Sequence, residues 1–401
     1  MKRMLSGIWI KKTLAVVFLL TLAGMTRLFA FPIAFTAPQL GPSGNPVAGV
    51  VQGEFNAIFN DVTGDIQNLV NGISSDPQKL IGAFADSSVF ASTGASLRTF
   101  QGYDAFALTV GVMTGIQVPR NIFSMFEYFE EIAAAESPML KLLDEINNEH
   151  DLQVGVNPQI LNAQLGINSR FLLKGLYLGL KGGYMNLPAS FFDNFFDAFQ
   201  MSFQTWSAGG LINYQLIPQF RLLGGLIVWR GLNLGAGFIY QNTGLNLNIP
   251  LMPLLEDHLS GDLDNLGGTG AKLDLGDPRI SFIFNIDTYT VPLEAVTSFR
   301  FLGFANASIG AGVDFGFGNA NMKGKIDSKI EVKNLPDPLV QNSPGRMYAS
   351  IGGSRQSTLV NPKAMASFGF SAGPAIILDI PVTYYFLNNG FSVGITLGIA
   401  L

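Results

Sequence analysis

The sequence predicts an all-β fold: a transmembrane, antiparallel β-barrel of about 14 strands with an N-terminal plug, or hatch, and helical extracellular loops. Three observations predict it. The 401-residue chain is 48% hydrophobic but only 13% charged, whereas ordinary soluble domains are about 25% charged. Many segments alternate between apolar and small or polar residues with a period of two. Beyond residue 30 no apolar run suffices for a membrane-spanning helix, which leaves the closed sheet as the structure that pairs every backbone group in hydrocarbon.

The N-terminus resembles a secretory signal. The apolar run 13–25 is short for a membrane span, and we expect cleavage after Ala30; an uncleaved anchor is the alternative. The basic residues that precede the run are Lys2, Arg3, Lys11 and Lys12. The predicted domains are a signal peptide at 1–30, a plug with an amphipathic helix at 31–90 and the barrel at 91–401.

Alternation with one apolar face recurs through the predicted barrel. It is clearest in the segments 172–184, 231–242, 279–287, 307–318, 375–386 and 391–401. We expect the apolar parity to face lipid. In 279–287 this places Ile280, Phe282, Phe284 and Ile286 outside, and Asn285 and Asp287 inside. The last segment runs to the final residue, so we expect it to close the sheet against the first strand.

Other regions lack the strand pattern. Apolar residues recur at helical spacing in 54–73, inside the predicted plug, and in 122–146. Residues 190–200 place phenylalanines on one helical face, and 250–278 form a Leu- and Gly-rich insertion. The corresponding loop insertions lie near 118–153, 188–199 and 249–278. Because outer-membrane barrels have short turns at one end and long loops at the other, we expect these loops to be extracellular.

Catalytic and metal-binding patterns are missing from the sequence. The two histidines, His150 and His258, fall in predicted loops, and the sequence contains no nucleophile elbow or histidine-based metal motif. The acidic residues at 257–264 lack the spacing of a calcium loop. We therefore predict that the protein is not an enzyme and has no catalytic residue, metal site or cofactor. The net charge of −5 and the lack of a basic cluster argue against nucleic-acid binding.

The predicted inward faces carry few charges. Gly, Asn, Ser and Tyr occupy many of the inward positions. The charged residues are Lys181, Asp287, Asp314 and Asp379 on strands, and Arg221 near a strand end. A general diffusion pore that selects solutes by rings of charge needs more charged side chains than this.

The layout resembles the FadL family of outer-membrane fatty-acid transporters, which are plugged barrels with helical external loops. Residues 31–90 stand where that family has its hatch, and Asn45 and Pro46 in "GPSGNPVAG" resemble its Asn-Pro-Ala hatch element. The ending "SVGITLGI" (392–399) resembles the C-terminal signal read by the barrel-assembly machinery. The resemblance implies a protein of the outer membrane of a diderm bacterium, inserted by that machinery.

By the same resemblance, the loop helices capture a hydrophobic ligand. The implied ligand-binding residues are Phe123, Phe126, Phe129, Phe191, Phe192, Phe195, Phe196 and Phe199. A carboxylate headgroup requires a basic residue, for which Lys174, Lys181 and Arg221 are the candidates. The implied partners are a long-chain fatty acid or another hydrophobic small molecule and the lipid of the outer membrane, with the barrel acting as a monomer.

The sequence therefore favours uptake of long-chain fatty acids or similar hydrophobic nutrients through a plugged barrel, by passive binding and release. Two other membrane functions stay open: a general porin or small-solute channel, and a surface adhesin that binds partners through its loops. A soluble secreted β-protein is a further alternative.

Overall fold

The computed structural model describes residues 34–41, 49–50, 52–53, 56–57, 77–94, 103–117, 155–192, 200–250, 271–335, 340–372 and 376–401. Within these ranges, no helix combines the length and the apolar character needed to cross a membrane. The predicted helices at 54–73 and 122–146, apart from residues 56–57, lie outside the described residues, as does most of the 250–278 insertion.

The described chain is mostly β-structure. The strands are β1 (Ala34–Thr36), β2 (Gln39–Gly41), β3 (Phe106–Gln117), β4 (Gly155–Asn168), β5 (Leu176–Leu187), β6 (Gln200–Ile217), β7 (Phe220–Leu222), β8 (Ile227–Pro250), β9 (Lys272–Asp274), β10 (Arg279–Phe301), β11 (Ala305–Lys333), β12 (Val340–Ser343), β13 (Gly345–Gln356), β14 (Val360–Ala372), β15 (Ile376–Tyr385) and β16 (Gly390–Ala400). The helices are α1 (Pro77–Thr93) and α2 (Ala189–Phe192). Each of the six predicted strand segments overlaps one of these strands.

All described strands except β2 and β12 belong to one antiparallel sheet of 14 strands, which confirms the predicted fold class. Ten of them form a ring in the order β11-β10-β8-β6-β5-β4-β3-β16-β15-β14. The pairing of β14 with β11 closes this ring. As predicted, the C-terminal strand closes the sheet: β16 pairs with β3, from Gly390 opposite Gln117 to Ala400 opposite Ala107. A closed ring leaves no unpaired strand edge within the membrane.

The 29-residue strand β11 connects the ring to a sheet that extends beyond it. Its first part pairs with β14 up to Phe315, whereas its second part pairs with β13 from Asn319 onward. Between the two parts, Gly318 has a φ of +147°, a backbone angle that favours glycine. We call the extension the projecting sheet; it comprises residues 200–205, 242–250, 279–287, 319–333 and 345–356.

A belt of aromatic side chains marks the level at which the projecting sheet leaves the ring. Tyr184 lies opposite Trp206 on neighbouring strands. Tyr240, Tyr289 and Phe317 lie opposite one another on β8, β10 and β11. These side chains face outward, and the ring centroids of Tyr240 and Tyr289 are 4.9 Å apart. Such aromatic girdles lie at the membrane interfaces of transmembrane barrels.

The polarity of the two sheet faces inverts at this belt. In the part of β8 that belongs to the ring, Leu234 and Phe238 are exposed on the outer face, and Asn233 is buried on the inner face. Beyond the belt on the same strand, Asn246 is exposed and Leu247 is buried. The ring therefore presents an apolar outer surface to lipid, whereas the projecting sheet has a polar outer surface and an apolar interior.

One predicted orientation is wrong. Three apolar side chains of the segment 279–287 point to the interior, each 1% exposed: Phe282, Phe284 and Ile286. Asp287, which we expected inside, points outward and accepts hydrogen bonds from Tyr240 Oη at 2.6 Å and Asn242 Nδ2 at 2.9 Å. The reason is that this segment lies beyond the belt. With water outside, the apolar parity of a strand packs inward.

The two ends of the barrel differ in their connections. At the end opposite the projecting sheet, β4 and β5 are joined by residues 169–175, and β10 and β11 by 302–304. At the end of the projecting sheet, the connections include the long stretches 118–154, 188–199 and 251–271. The three predicted loop insertions thus connect strands at one end of the barrel.

Candidate functional site: the plug helix in the barrel interior

Helix α1 lies inside the ring. Its residues from Ile81 to Ala91 are buried, and it contacts β3, β4, β8, β10, β11, β13 and β16. Its sequence, "PQKLIGAFADSSVFAST", is rich in small residues, which let helix and strand backbones approach closely. The fit extends to the strands: a Cβ added at Gly155 would overlap the carbonyl oxygen of Ala83, and one added at Gly115 would overlap that of Ser87.

The first half of α1 packs against an apolar wall beyond the aromatic belt. The ring centroids of Phe84 and Phe284 are 5.4 Å apart, and Ile81 is fully buried. The wall is the inner face of the strands at this level, and its buried residues include Met185, Met201, Leu247, Phe284, Met322 and Met347. We call the space inside this wall the apolar chamber. Side chains of α1 occupy it.

Asp86 attaches α1 to the rim of the barrel. Its carboxylate accepts hydrogen bonds from the backbone N–H of Thr358 at 2.6 Å, from Thr358 Oγ1 at 2.9 Å and from Asn388 Nδ2 at 3.0 Å. Burial raises the pKa of Asp86 to about 6, although the hydrogen bonds from Thr358 and the charge of Arg355 act in the opposite direction. The attachment therefore depends on a carboxyl group that titrates close to neutral pH.

Hydroxyl groups join the middle of α1 to β10. Ser88 Oγ lies 3.3 Å from Thr288 Oγ1, and Ser92 Oγ lies 3.4 Å from Thr290 Oγ1. Ser92 Oγ also donates to the carbonyl of Val89 in its own helix at 2.8 Å. Two polar contacts one helical turn apart fix the rotation of α1 relative to the wall.

The buried amide side chains of β4 and β8 are hydrogen-bonded to one another and to neighbouring hydroxyl groups. Gln159 Nε2 donates to Gln241 Oε1 at 2.9 Å, and Asn162 Nδ2 donates to Gln159 Oε1 at 2.8 Å. Nearby, Asn157 Nδ2 donates to Thr243 Oγ1 at 2.8 Å. Because buried polar groups need partners, this network keeps amide side chains at membrane level inside the ring.

The C-terminal end of α1 meets ionisable residues. Thr93 Oγ1 lies 2.7 Å from Tyr385 Oη, which donates to Asp314 Oδ2 at 3.1 Å. Lys363 Nζ lies 2.7 Å from Asp314 Oδ1 and also pairs with Glu294. These contacts form one continuous chain of hydrogen bonds and ion pairs from the helix into the ring wall.

Lys181 binds the end of α1 directly. Its Nζ donates to the carbonyl oxygen of Gly94, the residue that follows the helix. A cation is favourable at this position because the C-terminus of a helix carries partial negative charge. Together with Lys363, it faces the carboxylates of Asp314 and Glu294, so the charges at this level balance.

A small cavity lies beside the ionisable residues. Its lining includes Thr93, Gln164, Lys181, Asn213, Pro292 and Glu294, and it has room for about one water molecule. Gln164 is buried, and within the described part of the chain neither atom of its amide group has a hydrogen-bond partner. The cavity therefore suits a polar molecule of the size of water.

The structure separates the sequence-predicted site residues. Lys181 lies inside the ring, whereas Arg221 is exposed on β7 at the opposite end of the barrel from the projecting sheet. Phe191 is half-buried and, with Phe192, belongs to α2. The remaining predicted residues lie outside the described ranges: Asn45, Pro46, Phe123, Phe126, Phe129, Phe195, Phe196 and Phe199.

Sequence reasoning missed α1 as the helix inside the barrel. The apolar periodicity drew attention to 54–73, whereas α1 is buried from Ile81 onward and its polar residues, such as Asp86, Ser88 and Thr93, are not gathered on one face to produce such a pattern. An available signal was the run of small residues from Gly82 to Ser92 with Asp86 as its single charge.

Within the described ranges, no group of three or more potential metal-ligating residues is found.

Comparisons with known proteins place the chain in a family. A family model described as Lsa36-like matches residues 35–401. No curated protein matches the chain. Similar solved structures include the translocator domain of the autotransporter NalP from Neisseria meningitidis (8% identity, 75% of this chain, 90% of that chain, TM-score 0.32). They also include the toluene transporter TbuX from Ralstonia pickettii (10% identity, 80% of this chain, 98% of that chain, TM-score 0.24). A third is Ail, the attachment invasion locus protein of Yersinia pestis (9% identity, 74% of this chain, 97% of that chain, TM-score 0.21). Similarity this low does not extend to function.

Proposed function

This chain belongs to the Lsa36-like family, and we propose that it is an outer-membrane barrel that takes up hydrophobic molecules, such as long-chain fatty acids, past the plug helix α1. The observation that carries the proposal is the apolar chamber, which α1 fills with Ile81 and Phe84. The apolar outer surface of the ring supports the membrane location. The chamber lies at the end with long connections, the end that outer-membrane barrels direct to the exterior.

A hydrophobic ligand in the chamber takes the place of α1 side chains. Methionine is abundant in the wall, and its flexible thioether adapts to ligands of different shape. Each buried methylene group contributes about 0.8 kcal/mol, so a long acyl chain can compensate for the apolar contacts that α1 gives up. Ligand binding and displacement of α1 are then coupled, because the two compete for the same space.

The interior at membrane level favours a second candidate, a channel for small polar solutes. The wall there carries amide side chains such as Gln159 and Gln241 and the ionisable residues Lys181, Lys363 and Asp314. Once the C-terminal end of α1 moves away, these groups line a polar passage of the kind that conducts hydrophilic solutes. In both candidate functions α1 is the gate. The molecules that pass it differ: hydrophobic molecules in the first and small polar solutes in the second.

A removable crosslink between α1 and the wall tests both candidates. Ser88 and Thr288 have their hydroxyl oxygens 3.3 Å apart, and the chain contains no native cysteine. The variant Ser88→Cys/Thr288→Cys is therefore expected to form a single disulfide. In detergent, we expect the reduced barrel to bind palmitate saturably, more weakly as the acyl chain is shortened, and the oxidised barrel to bind it far more weakly. Ser88→Cys alone, treated with the same oxidant, is the control.

The outcomes separate the proposals. If the reduced barrel shows no saturable binding at any chain length, hydrophobic uptake is refuted. Liposome swelling in small sugars and amino acids then tests the second candidate, which predicts swelling with the reduced barrel only. Equal palmitate binding by the oxidised and reduced barrels refutes the role of α1 as the gate.

A further inference from the structure

The outer surface of the projecting sheet is polar and begins directly above the aromatic belt. In the first rows beyond the belt, Asn242, Asn285 and Asn321 project outward from three neighbouring strands. Further from the belt, Lys323 and Lys325 project from β11 on the same side. We call this surface the polar outer face. It continues the lipid-facing surface of the ring on the same strands, without a break in pairing between β10 and β11.

The polar outer face is cationic, although the whole chain has a net charge of −5. Its basic residues are Arg279, Lys323, Lys325, Lys329, Lys333 and Arg346, and its carboxylates are Asp277, Asp287, Asp327 and Glu331. Asp327 pairs with Lys325 at 2.7 Å and with Arg346 at 2.8 Å, yet the side chains of these two basic residues are still 56% exposed. Lys323 and Lys329 are exposed as well. The polar outer face thus has an excess of positive charge, and its cations nearest the belt are Lys323 and Lys325.

The position of each cation along its strand gives its distance from the aromatic belt. Lys323 lies four residues beyond Asn319, the first outward residue past the belt, which is about 13 Å along a strand and less along the membrane normal of a tilted barrel. Lysine side chains can also extend toward the membrane. The amide groups therefore lie at the level where headgroup sugars begin, and Lys323 and Lys325 lie nearest the charged groups attached to those sugars. Lys329 and Arg346 lie opposite each other ten residues beyond Asn319, about 33 Å along the strand, and are above that level.

We propose that the polar outer face binds the phosphorylated sugar headgroups of glycolipids in the surrounding leaflet. Asparagine and serine side chains donate and accept hydrogen bonds, as sugar hydroxyls require, and lysine and arginine bind phosphate through charge-assisted hydrogen bonds. A lipid is the expected occupant because the face is continuous with the lipid-facing ring. The proposal rests on the membrane orientation proposed above, but not on transport.

Glycolipid retention tests the proposal. The full mature chain and its Lys323→Gln/Lys325→Gln variant are reconstituted into phosphatidylcholine vesicles with and without lipopolysaccharide. They are then extracted with detergent and analysed by native mass spectrometry. We expect the unmodified protein to retain glycolipid, and the variant to retain several-fold less. The matched control is Arg170→Gln/Lys174→Gln, which removes two exposed cations at the opposite end of the barrel and is expected to retain glycolipid normally.

Three results would overturn the proposal: equal retention by the unmodified protein and the Lys323/Lys325 variant, equal retention of a dephosphorylated glycolipid, or binding of soluble dextran sulfate as tight as that of the glycolipid. The last would assign the face to a soluble polyanion. Heat-dependent gel mobility, measured in parallel, reports whether the barrel has folded. A failure of headgroup binding is thereby distinguished from a failure of the membrane-barrel assignment.

Discussion

The ring of Phe90, on the plug helix, stacks on the ring of Tyr385, in the wall of the barrel, with 4.0 Å between the ring centroids and 19° between the ring planes. Both side chains are buried, and Tyr385 also holds Thr93 and Asp314 through its hydroxyl group. Tyr385 thus joins the apolar contact with Phe90 to the ionisable residues that hold the C-terminal end of α1. Gly390 provides the space for it, since a Cβ there would overlap the ring of Phe90.

Replacing Phe90 by Ala is expected to loosen the plug. The change removes the stacked ring and leaves a cavity, which typically costs about 3–5 kcal/mol in a packed core. We expect more frequent channel opening in planar bilayers and a lower unfolding temperature. Phe317→Ala, which removes an exposed aromatic ring from the outer face, is the control for opening. An unchanged conductance in Phe90→Ala would contradict the role of this contact in closure.

Stability is expected to depend on pH through Asp86. Its pKa in the folded protein, about 6, lies above the ordinary value of 3.8. The folded state therefore keeps this proton over an interval in which the unfolded state has lost it, so the free energy of unfolding decreases as pH rises between these two values. The decrease is on the order of 2–3 kcal/mol. Denaturant titrations at a series of pH values measure it. Asp86→Asn should remove this contribution, and an identical pH profile in that variant would contradict the assignment.

Lys363 is expected to be essential for stability of the ring interior. Lys363→Met leaves Asp314 and Glu294 without their shared cation, and breaking a buried ion pair in this way costs about 3–5 kcal/mol. Adding Asp314→Asn and Glu294→Gln should restore part of the loss, because the uncompensated charges are then removed. Lys329→Met, on the exposed face of the same sheet, should change stability by less than about 0.5 kcal/mol. Urea unfolding in detergent provides the comparison.

A single methyl group at Gly155 is expected to displace α1. The added Cβ would overlap the backbone of Ala83, and overpacking of this kind typically costs about 1–3 kcal/mol. Gly155→Ala should therefore increase solute leakage in liposome swelling. Gly210→Ala is the matched control, since a Cβ at Gly210 meets no atom within 4 Å. Equal leakage in the two variants would show that α1 does not depend on this close approach.

The lipid boundary can be located by arginine substitutions on one face of β8. Leu234 lies below the aromatic belt and Asn246 beyond it, and both point outward. Leu234→Arg is expected to destabilise the barrel by about 2–4 kcal/mol, as a charge near the middle of the bilayer does. Asn246→Arg should have little effect, because its side chain stays in water. The free energy of unfolding of each variant is measured in lipid vesicles. A similar decrease for both substitutions would contradict the proposed boundary.

The sequence by itself determined the strands and the closed sheet. The period of two in segments such as 307–318 and 391–401 is a local property that each strand carries in its own residues. The shortage of charge, together with the lack of a spanning helical run, required these strands to pair with one another around a ring. Lys181 could be placed inside the barrel on the same grounds, since its parity opposes that of Leu178 and Leu180.

Only the tertiary structure decided which medium each face meets and what fills the interior. Phe282 and Phe284 alternate as regularly as Leu234 and Phe238, but they lie beyond the belt, where water replaces lipid and the apolar side turns inward. That change depends on the height of each residue in the assembled barrel, which no single segment encodes. The position of α1 was likewise hidden, because its polar residues point to several sides of a buried helix and give no amphipathic pattern. The strands that surround it, with glycines such as Gly155, determine where it fits.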